Sequence, residues 1–535
     1  MNDVGLEPIS PRWAEPGVPL LATHSEIGHA RLNWGRRFIW TGRACLILFA
    51  AVALISGNRA AGLLTFGAVT HFTSPVWGGV ELGVVFVLVP AGLAFWLLGL
   101  LVTRAAPTRS LGWRIGPSAV IVPLSVLVAL TLAHLSPAIG WSDFAFVLGA
   151  LGLLGVAYLF VLNDGPSGPA IAGFFAVTGS LQALVGVGQF VVQHDLGFRW
   201  LGELSLDPRV SGISVLGNSV RILRAYGLMR HPNALGAILP LSFLAAISLC
   251  SRADKRRRFL WLGSIALISA GLLLSFSRTG WLAALAGGAV LLAANGWPSN
   301  RASRSMPRHA WVTWAPAGLA VGLVVVMAVG LRPEMFRGRL FGAFGVFGAG
   351  SHLEYWSIFG RLDGIHSAWD VIRRWPLWGV GTGRYVMVAA RLAGISPSES
   401  LLVDSTPLVL WAEPGLAAPV VWLGMGAWQV WLGCRRTAGC ATDPDLALAT
   451  AWVAAVQVVC LFEAFFWPSH ELWQGAIWLG VALGLWSRAA ANSAWRSAVA
   501  EPGARGRGPG WPARLRDSTR PLRAIVRRAR IRGPS

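Results

Sequence analysis

Arg221, Arg224 and Arg230 stand in one short stretch, RILRAYGLMRHPNALG. Each guanidinium carries a permanent charge on a planar fork of donors suited to phosphate oxygens, so the cluster points to an anionic ligand. His231-Pro232-Asn233 follows directly, a pattern that also suits the cap and first turn of a helix. A second block, Ser277-Arg278-Thr279-Gly280, places another arginine in a tight turn between two apolar runs. A third runs from Arg361 to Tyr385 and ends WPLWGVGTGRY. Its Gly-x-Gly pattern follows no strand, which excludes a nucleotide-binding fold of the usual kind. In a fourth, Asp404-Ser405 and then Glu413-Pro414-Gly415 offer carboxylates that either cap a helix or take a proton as a general base.

The elements that must position these residues are apolar helices. Of the 535 residues, 54% are hydrophobic and 13% charged, outside the range of soluble domains. Apolar runs of roughly 17–25 residues, enough to cross a bilayer, recur along the chain. About twelve are expected, at 38–57, 80–103, 116–136, 142–163, 169–193, 233–251, 259–276, 279–296, 311–331, 408–433, 446–468 and 471–487. They are continuous rather than alternating, which argues against a membrane β-barrel. The expected fold is all-α: a polytopic helical membrane protein.

Arginine placement orients it. With Arg12, Arg31, Arg36 and Arg37 in the cytoplasm, the basic turns at 104–114, 252–258, 301–308 and 435–436 also fall inside. Both termini are then cytoplasmic. The division is an N-terminal segment 1–37, a helical domain 38–487 and a basic tail 488–535. Only two external segments are sizeable, 194–232 and 332–407, and all four blocks lie on that side. Arginine is usually kept from it, so retention there suggests a task.

The net charge of +21 does not indicate nucleic acid, because much of it lies in the tail. Such tails meet anionic lipid headgroups, at about 1 kcal/mol per charge. Cys45, Cys250, Cys434, Cys440 and Cys460 all avoid the external loops, so neither disulfides nor a zinc site is expected. The opening MNDVGLEPISPRW lacks the basic start of a cleaved signal peptide. Within 332–407, FRGRLFGAFGVFGAG suits the membrane interface, and 361–374 has the period of an amphipathic helix through Leu362, Ile365, Trp369 and Ile372. Asp443-Pro444-Asp445 reads as a turn, not a metal site. Glu463, inside the eleventh span, is an intramembrane carboxylate with a functional expectation and no evident partner.

In order and spacing, RAYGLMRHPNALG, FSRTGW, RLDGIHSAWDVIRRWPLWGVGTGRY and the Asp404–Gly415 block resemble the O-antigen ligase and polymerase superfamily of bacterial inner-membrane proteins. The resemblance covers about 220–425. It implies transfer of glycan from an undecaprenyl-pyrophosphate carrier to a glycan or lipid acceptor, with no cofactor or metal. Catalytic roles would fall to Arg224, Arg278 and Asp404, and substrate binding to Arg221, Arg230, His231, Asn233, Arg361, His366 and Glu413. The family places a His before Asn, Ser or Gln, nine residues and Gly; Ser405 and Gly415 keep that spacing, but Asp404 replaces the His. His352 or His366 could substitute from the same loop. An anion transporter would use the same arginines, with Gln182, Gln189 and Glu463 as the polar residues along the path. A third reading, favoured if Asp404 is inert, is a non-catalytic scaffold of a polysaccharide assembly complex.

Overall fold

The computed structural model describes residues 33–34, 36–48, 92–99, 101–102, 114–135, 141–209, 213, 215–216, 221–296, 308–331, 336, 352–396, 403–439, 443–463 and 474–500. The chain divides into two units, the first formed by Met1–Ala51 with Gly78–Trp113. In it, the helical segments 36–48 and 92–99 cross closely: a Cβ on Gly42 would lie 2.7 Å from the Gly92 carbonyl oxygen.

The second unit is mostly helical. Its α-helices are α1 (Ser118–Ala133), α2 (Trp141–Asn163), α3 (Gly168–Val192), α4 (Pro232–Arg252), α5 (Lys255–Leu274), α6 (Arg278–Gly296) and α7 (Arg308–Leu331). After these come α8 (His352–Arg374), α9 (Tyr385–Ala393), α10 (Thr406–Ala412), α11 (Ala417–Gly439), α12 (Pro444–Phe462) and α13 (Gln474–Ala500). Two short antiparallel strands, β1 (Val215–Leu216) and β2 (Ile222–Leu223), pair Val215 with Leu223 and Leu216 with Ile222.

Helix α4 is the axis of the bundle. It packs on α3, α5, α6 and α12, and Leu235, Ile238, Leu239 and Leu244 are fully buried. A helix apolar all round has to be covered all round. The outward faces of its neighbours are apolar too: Val177, Leu184 and Val191 on α3, Phe259 and Leu260 on α5, Leu319 and Val326 on α7. Such stripes fit a bilayer as solvent. Helices α3, α4, α5 and α12 are each long and apolar enough to cross a membrane.

Helices α4 and α6 touch backbone to backbone. A Cβ on Gly280 would lie 2.3 Å from the Gly236 carbonyl oxygen. Backbone cannot yield as a side chain can, so Gly280→Ala is expected to destabilise by about 1–3 kcal/mol. The thermal midpoint of the purified protein measures this, with Gly173→Ala, which meets open space, as the unaffected control.

Four expectations about the elements change. The tenth run, 408–433, is two helices, because Glu413-Pro414-Gly415-Leu416 interrupts it between α10 and α11. The eleventh run, expected to reach 468, ends as α12 at Phe462, and Glu463 is its C-cap rather than an interior residue. Helix α13 continues to Ala500, so the first part of the basic tail is helical. There the Arg488 guanidinium donates to the Val161 and Gly165 carbonyls at the end of α2, a cap rather than a lipid contact. The amphipathic helix is longer than 361–374 and buries a different stripe: Gly364, Ala368, Val371 and Ile372 face inward, while Leu362, Ile365 and Trp369 are exposed. Residues 337–350 of the Phe- and Gly-rich stretch lie outside the described residues, as do Cys440 and the tail beyond Ala500.

Candidate functional site

One chain of polar contacts joins the ends of four helices. Arg224 is 5% exposed; its Nε donates to the Ser275 carbonyl at 2.8 Å and its Nη2 to Asn233 Oδ1 at 3.0 Å. Asn233 Nδ2 donates onward to Glu463 Oε1 at 3.0 Å, and Arg361 Nη2 donates to the same oxygen at 2.9 Å. Arg361 Nε lies 3.4 Å from Asp404 Oδ2. The Thr406 hydroxyl closes the set by donating to the Glu463 carbonyl at 3.0 Å. Three of the sequence blocks therefore meet, and Glu463 acquires the partner it lacked.

Local structure explains why these side chains converge. Pro232 and Asn233 open α4, with His231 as N-cap accepting from the Asn233 N–H at 3.1 Å. Ser275 caps α5, and the next residue, Phe276, takes a left-handed φ of 49° in the turn to Arg278, the first residue of α6. A buried phenylalanine in that region is held against its own preference. Phe336, Phe190 and Trp281 hold it by packing on its ring.

The segment carrying Arg224 is fixed from below by α3. Gln189 Oε1 accepts from the Tyr226 and Gly227 N–H groups, and its Nε2 donates to the Gly227 carbonyl and to Glu203. Gln182 Oε1 accepts from the Leu228 N–H at 2.7 Å. Both glutamines, which a transporter would need along its path, are engaged within the fold, Gln182 by backbone and Gln189 by backbone and Glu203. Glu203 also accepts from the Leu196 and Phe198 N–H groups, and Gln193 Oε1 accepts from the Leu223 N–H.

Glu413 is the C-cap of α10, one of the two roles expected of it. It is 1% exposed, and its carboxylate accepts from the Gly383 and Tyr385 N–H groups at 2.9 and 3.2 Å. It holds the WPLWGVGTGRY turn rather than presenting itself to a ligand. Gly379, at φ 64°, lets that turn pass so close that a Cβ would lie 2.0 Å from the Glu413 carbonyl oxygen. The turn is also tied to α1 through Thr382, whose N–H and hydroxyl donate to the His134 and Thr131 carbonyls. Burial pushes the Tyr385 phenol up, against a smaller lowering by its Ser367 hydrogen bond. Glu413→Ala leaves the buried Tyr385 N–H and the part-buried Gly383 N–H without their acceptor, at about 1–3 kcal/mol for the buried one. The expected result is faster hydrogen exchange at the Gly383 and Tyr385 amides.

The other expected residues line the approaches. Arg278 is half-buried at the start of α6. Arg221 and Arg230 are exposed on either side of Arg224, and Arg221 donates to the Arg209 carbonyl at 3.4 Å. His366 is exposed on α8 and lies outside the polar chain; His352 opens that helix. The residues missed by sequence reasoning act through backbone or hydroxyl groups: the Ser275 carbonyl, and Thr406 under Glu463.

Burial pushes the Glu463 carboxyl well above the ordinary carboxylate range. Arg361 pulls it back down, Asp404 pushes it up again, and Arg224 adds a further downward pull. At the opposite ends of α4 and α12, Arg252 Nη1 pairs with Asp445 Oδ1 at 2.5 Å, and Asp443 caps α12 by accepting from the Asp445 N–H. The two bundle ends thus differ in kind: one is an ordinary ion pair and cap, the other a network in which buried Arg224 and Glu463 join half-buried Arg361 and Asp404. Among the described residues no group of His, Cys, Asp and Glu could hold a metal ion.

The chain matches no protein-family model and no curated protein.

Proposed function

We propose that the protein is a membrane glycosyltransferase of the O-antigen ligase or polymerase type, acting at the external face of a bacterial inner membrane. In this reading about twelve helices span the bilayer, both termini are cytoplasmic, and the basic tail meets anionic lipid. The donor is a glycan carried on undecaprenyl pyrophosphate; the acceptor is another glycan or a lipid. The observation that supports it best is the contact chain Arg224–Asn233–Glu463–Arg361–Asp404, which unites separate sequence blocks in one part-buried, arginine-bearing site.

The chemistry follows from the residue types. Arg224, together with Arg278, which lies three residues beyond the Ser275 that Arg224 binds, neutralises the pyrophosphate as negative charge develops on the leaving oxygen. Arg221 and Arg230 draw the anion in from the exposed side. Asp404 takes the proton from an acceptor hydroxyl, whose oxygen bonds the anomeric carbon as the bond to phosphate breaks, with inversion. In the resting site Arg361 holds Asp404; engagement of Arg361 by pyrophosphate frees that carboxylate to act as base.

A surface-glycan size profile tests the reading. Host cells carrying wild-type protein, Arg278→Ala, Asp404→Ala or no protein are compared. Arg278→Ala is expected to match the deletion, with long or attached glycan lost and lipid-linked units accumulating. Four identical profiles would sink the transferase reading for that glycan. The transporter reading then regains its place, with ion flux as its assay.

A further inference from the structure

Glu463 occupies the position that an anionic substrate oxygen would take. Its Oε1 accepts from Asn233 on α4 and from Arg361 on α8, while Arg224 reaches it through Asn233. Donors converging from two elements on one oxygen are what a phosphoryl oxygen requires. Here an internal carboxylate already sits among them.

Charge makes this consequential. Among the described residues, the ionisable members of this contact chain are Arg224 and Arg361 against Asp404 and Glu463, two positive and two negative, so the chain is formally neutral, with Arg221, Arg230 and Arg278 outside it. A pyrophosphate diester, the form in which a lipid-linked glycan arrives, carries two further negative charges that do not titrate near neutral pH. Adding them to a buried, balanced set leaves negative charge unpaired in a poorly solvated place, which is costly. Protonating the carboxylate that the phosphoryl oxygen displaces removes one of the two charges, and the other is left to the arginines outside the network, Arg278 among them.

The two carboxylates are not equivalent. The Asp404 side chain is 29% exposed and water can solvate its charge; that of Glu463 is 9% exposed. The groups facing Glu463 are Arg361 from α8, Arg224 from the segment before α4, Asn233 from α4, and Asp404 with Thr406 from the start of α10. Of these only Asp404 adds negative charge.

We infer that Glu463 is the resting counter-ion of Arg224 and Arg361, and that a pyrophosphate diester binds in its place with uptake of one proton from solvent by Glu463. This rests on the pyrophosphate reading of the site. The carboxylate's upward shift runs in the same direction. The sign is definite: binding weakens as pH rises, because a rising pH opposes the protonation that binding needs.

Calorimetry on the full-length protein in nanodiscs of uncharged lipid tests it, with a short-chain dialkyl pyrophosphate as probe. Heats are compared in buffers of different ionisation enthalpy. Expected are uptake of about one proton per probe bound and affinity falling by up to about tenfold per pH unit. Glu463→Gln, close in shape, should bind without uptake and with a flat pH profile; Asp404→Asn should keep the slope. Binding by wild type with no proton uptake overturns the inference alone, and needs no variant to read. A slope kept in Glu463→Gln and lost in Asp404→Asn also overturns it. No binding by wild type at any pH overturns the pyrophosphate reading and this inference with it.

Discussion

Arg224→Ala is expected to reduce glycan transfer by about 100- to 1,000-fold, the scale on which removal of one preorganised charge-stabilising group acts. Arg224 is the most buried arginine of the site, and its fork is divided between the Ser275 carbonyl and Asn233. Both contacts hold the guanidinium in place before any substrate arrives. Arg224→Lys keeps the charge, but a single ammonium on a flexible stem cannot reproduce the planar fork. A lysine variant should therefore recover only a small part of the lost rate. Equal rates for Arg224→Ala and wild type, with equal amounts of protein in the membrane, would remove Arg224 from the chemistry.

Arg361→Ala has the second largest expected effect, and it falls on stability as well as rate. Arg361 lies between two carboxylates, Asp404 at 3.4 Å and Glu463 at 2.9 Å. Removing it leaves them facing each other, with Arg224 the remaining arginine that acts on Glu463 among the described residues. Loss of one partner of a buried ion pair costs about 3–5 kcal/mol. The lower end applies here, since Arg361 and Asp404 each keep 29% of their side-chain surface exposed and water screens part of the charge. The thermal midpoint should fall, and adding Glu463→Gln should restore much of it by removing the stranded charge. Activity should stay lost in the double variant. Restored activity there would show that Arg361 only balances Glu463.

Much of this was legible in the sequence because apolar periodicity and arginine placement are local signals. The helices α3, α4, α5 and α12 fall within two residues of the runs that predicted them, apart from the start of α5 and the far end of α12. What was not legible depends on contacts between distant segments. Glu463 reads as a lone carboxylate in an apolar run because its partners Asn233 and Arg361 are far away in sequence. Glu413 reads as a base or a cap because nothing local reveals that the Gly383 and Tyr385 amides lie over it. The stripe Leu362, Ile365 and Trp369 has helical spacing, and periodicity cannot say whether an apolar face meets a core or a lipid surface. Pro414 and Gly415 could have signalled the break between α10 and α11, but the hydropathy on both sides concealed it.

The most direct test is reconstitution of purified protein with a polyprenyl-pyrophosphate-linked glycan and a glycan acceptor, following release of polyprenyl pyrophosphate together with extended or transferred glycan. The account predicts coupled release and transfer by wild type and neither by Arg224→Ala. Release of pyrophosphate carrier at the same rate by both proteins, or transfer that leaves the carrier bond intact, would contradict it.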